Sequence, residues 1–242
     1  MLKLPVNLCL LLAVCSTPAV AETGSAQTVQ ASTAAPVKRE LALELARVSQ
    51  PKELLVEAVL KGFDQAAAEE PDEEMAAIEK EFPGFLGKVR VRGRAELASL
   101  MTERAPVLQQ RIADVYAAEV AEEHIRSLIT FMKSPTGSKL LRTMTLAPST
   151  SSPADDLTLT KEEVAQETRS AAAHSLKQMS GDENIELIKF AVSPAGQANR
   201  RVAPKIQEIV ATGMTEIMTE FTARMEPITV ELLEAYGDTK SK

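Results

Sequence analysis

A ten-residue pattern carried twice is the strongest constraint on how this 242-residue chain can fold. Leu128-Ile129-Thr130-Phe131-Met132-Lys133-Ser134-Pro135-Thr136-Gly137 returns 59 residues later as Leu187-Ile188-Lys189-Phe190-Ala191-Val192-Ser193-Pro194-Ala195-Gly196, with six of ten positions identical. Agreement at that level predicts an internal repeat. In each copy the leucine and phenylalanine, three residues apart, share a helical face and are expected to anchor it in a core. The proline disfavours helix at the serine before it. That serine is then expected to cap a new helix whose first residue is proline, a cap worth about 1 kcal/mol. The glycine two residues on removes a side chain where two helices meet closely. The unit reads as helix, sharp corner, helix, a packing device. The functional alternative is an anion held between two adjacent helix N-termini.

The remaining pattern predicts an all-α fold, a multi-helix bundle containing two such helix-corner-helix units in a two-fold-like arrangement. Tryptophan is absent and aromatics are 3% of the chain, so the core has to be built from Ala, Leu, Val, Ile and Met, residues that suit helices. Helical periodicity starts near Lys38 with Leu41, Leu45 and Val48. A second helix has Pro51 in its first turn and a stripe of Leu54, Leu55, Ala58, Val59 and Phe63. After a break at Glu69 to Asp72, a short helix is expected through Lys80. Residues 82–93 read as irregular: Phe82-Pro83-Gly84 is a turn, and Lys88 to Arg92 alternates like a strand that has no partner. Helices are then expected through Leu97, Leu100 and Met101, from Pro106 to Ala118, from Val120 to Lys133 and from Pro135 to Leu146. Residues 148–159 read as a loop between helical regions 38–147 and 160–237, and Thr160 with Glu163 forms a capping box. In the last stretch Val202 to Leu232 spans eight apolar steps at a mean period of 3.75, that of a straight helix. Pro204 and Pro227 are expected to kink or divide it.

The first residues carry a processing signal. Met1 to Lys3, the apolar run from Leu8 to Val14 and Ala19-Val20-Ala21 form a leader over residues 1–21, with cleavage after Ala21. Residues 22–37 read as a flexible linker. The rival route is a lipoprotein acylated at Cys15, although Val14 stands where small residues are usual. Both cysteines, Cys9 and Cys15, lie in the leader, so cleavage leaves a chain without disulfides. The expected location is the periplasm or the exterior. Loss of Lys3 leaves 26 Lys and Arg against 34 Asp and Glu, a net charge of −8, which argues against nucleic-acid binding.

At this point a resemblance enters. Tyr116, Glu123, Leu128, Phe131 and Ser134-Pro135-x-Gly137 resemble the bacterial family called domain of unknown function 2059. The similarity covers residues 111 to 145, and residues 183 to 206 more weakly. The resemblance implies an exported helical protein with a Phe-x-x-Ser-Pro-x-Gly core, and no catalytic residues. Met132 and Ala191 depart from the family's usual second aromatic.

Chemistry-bearing residues are few. His124 and His174 lack the Glu-x-x-His spacing of di-iron bundles, with Ala121 and Ala171 three residues before them. Glu163, Glu167 and His174 fall near one helical face, where a metal or a solvated surface are the alternatives. Met214, Met218 and Met225 could bind soft copper, but lie along an apolar stripe and read as core. Lys88, Arg90, Arg92 and Arg94 are the one basic cluster, a candidate contact for anionic lipid or an envelope polyanion. No nucleophile elbow, phosphate loop, dinucleotide fingerprint or His-Glu-x-x-His is present. The expectation is a non-enzymatic protein-interaction or envelope-support module, with no cofactor and a protein partner. Peripheral lipid binding and a hydrolase or metal protein are the alternatives.

Overall fold

Helical periodicity runs through positions where local signals argue for breaks. The computed structural model describes residues 34–68, 70–147 and 161–240. The leader with Cys9 and Cys15, residues 22–33 of the linker, the loop at 148–159 and Thr160 of the expected capping box lie outside them. Among the described residues there are nine α-helices and no strand: α1 (Ala34–Ser49), α2 (Lys52–Ala67), α3 (Glu73–Glu81), α4 (Phe85–Glu119), α5 (Glu122–Lys133), α6 (Pro135–Thr145), α7 (Lys161–Gln178), α8 (Gly181–Val192) and α9 (Pro194–Lys240). The all-α bundle is as expected.

Several boundaries are corrected. α1 begins four residues before Lys38, with Pro36 in the first turn, where no amide donor is needed. The irregular stretch at 82–93 shrinks to a turn. Gly84 takes the left-handed φ of +84°, and the Glu79 carboxylate accepts bonds from the amides of Gly84 (2.6 Å) and Leu86 (2.9 Å). These bonds satisfy first-turn donors of α4 and hold the Glu79 carboxyl below its ordinary range. α4 therefore starts at Phe85 and runs 35 residues, straight through Pro106. α9 likewise passes Pro204 and Pro227 undivided. All three prolines are exposed, so the carbonyl that each deprives of its helical donor can turn to water.

The continuity of α4 and α9 has a tertiary cause. The two helices lie antiparallel, as their partners show: Arg92 meets Glu231, Glu96 meets Arg224, Arg104 meets Glu220, Arg111 meets Glu216 and Glu119 meets Lys205. Between them and α1, α2, α5 and α6 lies an aliphatic core. Leu45, Leu55, Leu97, Leu100, Ile112, Ile125 and Leu128 are fully buried. Phe63 and Phe221 add an edge-to-face pair at 6.3 Å. Two of the buried polar side chains are bonded within the core. Gln109 donates to the Gln50 carbonyl at 2.7 Å, and the Tyr116 hydroxyl donates to Asn199 Oδ1 at 3.0 Å.

Candidate functional site

The two Ser-Pro-x-Gly segments have one local geometry. Ser134 sits at φ −67°, ψ 158°, and Ser193 at φ −68°, ψ 158°. Both are extended, as the following proline requires. Each hydroxyl accepts from the amide of the glycine three residues on, Gly137 and Gly196, at 3.1 Å. Pro135 and Pro194 begin the new helices. The corner is tight enough that a Cβ at Gly137 would lie 2.0 Å from the Phe131 carbonyl oxygen, and one at Gly196 2.2 Å from that of Phe190. The close approach expected at the glycines is thus an approach to the backbone of the preceding helix.

The corners also meet each other. Phe131 and Phe190 stack face to face, centroids 3.7 Å apart and planes within 5°. Phe131 is buried and Phe190 half-buried against the core. Polar ties lie beside the stack. Thr136 Oγ1 donates to Glu186. Lys139 pairs with Glu183 at 2.7 Å. Glu183 also completes a capping box with Ser180 at the start of α8. The Lys139 ammonium, followed by the Ser180 amide, holds the Glu183 carboxyl below its ordinary value. α8 is therefore fastened along its inner side by Leu187, Phe190, Glu183 and Glu186.

Its outer side is unlike that of α5. Counted at the 59-residue offset, solvent-facing Arg126 and Lys133 of α5 correspond to Ile185 and Val192 of α8. Buried Ile129, 7% exposed, corresponds to Ile188, 63% exposed. Ile185, Ile188 and Val192 form a bare apolar stripe at helical spacing. Sequence reasoning missed this stripe, although the replacement of two charged positions by Ile and Val was visible in the pattern.

The basic cluster is divided. Steps of two residues along a helix alternate sides, and α4 sends Lys88 over the Tyr236 ring (4.3 Å) and Arg92 toward Glu231 (3.7 Å). Arg94 pairs with Asp64 of α2 at 3.0 Å, and Arg90 lines the same shallow depression as Asp64 and Phe63. The four cations do not form one patch. The other singled-out residues are dispersed as well. His174 bonds Gln178 through Nε2 at 2.6 Å, and His124 is half-buried. The side chains of Glu163 and Glu167 lie outside the described ones. Met218 is buried, with Met214 and Met225 packed against the same core. Among the described residues no group of three His, Cys, Asp or Glu could hold a metal, and no helix is long and apolar enough to cross a membrane.

No curated protein and no solved structure matches the chain. The matched family span includes the Ser134 corner and stops short of the one at Ser193. Over residues 107–153 the chain is similar to the bacterial family described as "uncharacterized protein conserved in bacteria (DUF2059)", a domain of unknown function, as its residues around Phe131 and Ser134 lead one to expect.

Proposed function

We propose that this is an exported, non-enzymatic protein-interaction module of the bacterial envelope, its leader removed after Ala21, and that the outer face of α8 is its contact surface. The observation that carries this reading is the stripe of Ile185, Ile188 and Val192, set where the related positions of α5 are charged or buried. Single exposed apolar side chains are ordinary, whereas three aligned on one short helix are the mark of a docking face. The inner side of α8 is fastened by the Phe131–Phe190 stack and the Lys139–Glu183 pair, so the stripe is presented on a rigid support. Binding of anionic lipid by Lys88, Arg90, Arg92 and Arg94 has less support, because their charges point to different neighbours.

A photoreactive residue placed at Ile188, in cells exporting the protein, tests the reading. Protein adducts are expected at this position and not at exposed Gln110 on α4, and Ile185→Asp should remove them without lowering the melting temperature. Equal labelling at both positions would count against α8 as the contact surface.

A further inference from the structure

We infer that the partner fitted by this face is a second copy of the chain, docked α8 against α8 in antiparallel about a two-fold axis near Ile188. The inference rests on the reading of α8 as a contact surface and names its occupant. The charge pattern around the stripe makes the argument. At about 100° per residue, Asp182 and Lys189 fall on one flank of the stripe, Glu186 lies behind them on the inner side with Thr136, and uncharged Asn184 and Ala191 fall on the other flank. A two-fold axis perpendicular to two antiparallel helices brings like flanks together. Lys189 of each copy then lies level with residue 187 of its mate, five residues, about 7.5 Å of helix rise, from Asp182, a span that the long lysine side chain covers. Symmetry makes the pairing twice.

The alternative registers lose this match. A parallel pairing sets the charged flank of one copy against the uncharged flank of the other. Among the described residues neither Asp182 nor Lys189 has an ion-pair partner in its own chain, so both are free to serve the mate. In the antiparallel register Ile188 meets its own copy, and Ile185 of one chain approaches Val192 of the other. Gly181, whose Cβ direction faces open space, leaves room at each end. α8 is 12 residues long, about 18 Å. Its face is small against the roughly 800 Å² per partner of a standard interface. The association is therefore concentration-dependent and not obligate.

Sedimentation velocity on the protein as exported, over a wide concentration range, should show monomer passing to dimer. Ile188→Glu should move the midpoint up at least about tenfold. Lys189→Asp should weaken the dimer, and Asp182→Lys combined with Lys189→Asp should restore it. With Cys9 and Cys15 removed by processing or replaced by serine, Ile188→Cys should oxidise to a covalent dimer, and Gln110→Cys should not. A monomer at every concentration, with Ile188→Cys left as the thiol, overturns the second copy. So does a dimer indifferent to Ile188→Glu. In the first case, persisting adducts at position 188 to a different protein leave the contact-surface reading standing; without adducts, both readings fall.

Discussion

The corner at Ser134 and the corner at Ser193 share a ψ of 158° and the same serine-to-glycine bond, yet the helices that lead into them live in different surroundings. α5 buries Ile125, Leu128, Ile129, Phe131 and Met132, whereas α8 fully buries only Leu187. Six identical residues are enough to build the turn, because proline, serine and glycine act within four positions of one another. They do not decide what the flanking helix touches. That is set by the neighbouring elements: α5 is enclosed by α1 and α9, while α8 leans on α6 and the start of α9 with one side open.

The widest contrast is at one pair of positions matched at the 59-residue offset. Ile129→Glu puts a carboxylate into the core and should cost more than about 4 kcal/mol, while Ile188→Glu should stay within about 0.5 kcal/mol. Denaturant unfolding of the two variants measures this directly, and similar losses would break the comparison. Next come the stacked rings. Phe131→Ala should cost about 3–5 kcal/mol, and half-buried Phe190→Ala about 2 kcal/mol. A double-mutant cycle should return about 1 kcal/mol for the pair.

The glycines should abolish the contrast. Gly137→Ala and Gly196→Ala both meet a backbone carbonyl of their own corner, so each should lose about 2–3 kcal/mol. A large difference between them would mean that tertiary packing, and not the corner itself, creates the close approach. Ser134→Ala and Ser193→Ala should each lose about 1 kcal/mol.

The smallest expected effect is local. Glu183 has a folded pKa below the ordinary glutamate value of 4.5. Its contribution is therefore complete above the unfolded value and disappears as pH falls through the folded one. Hydrogen exchange between pH 7 and pH 3 should show the first turn of α8 opening before that of α5. Glu183→Gln should make that early opening independent of pH.

What could be read from residues alone follows the range of the forces involved. The corners, the caps at Ser134 and Ser193 and the inward leucines are decided within one or two helical turns and were legible. Pro106, Pro204 and Pro227 misled because a break is the local expectation, while the long antiparallel contact of α4 with α9 keeps the helices going. Lys88 to Arg92 misled in another way: alternation looks like a strand until Glu79 caps a helix in front of it. The candidate surface was hidden for a related reason. The apolar residues of α8 fit a buried helix equally well, and only the placement of its neighbours shows which of them are left bare.

Tyr116 and Tyr236 give this antiparallel pair a built-in optical reporter. With tryptophan absent, near-ultraviolet emission comes from these two phenols alone. One lies at the Asn199 end of the α4–α9 pair, and the other is set over the Pro83 carbonyl at the opposite end. Burial lifts the Tyr116 phenol well above the usual range, so strong alkali should quench it only as that end of the spine comes apart. Replacing either tyrosine with phenylalanine would leave a single lamp, and the unlabelled protein would then report which end of the bundle loosens first.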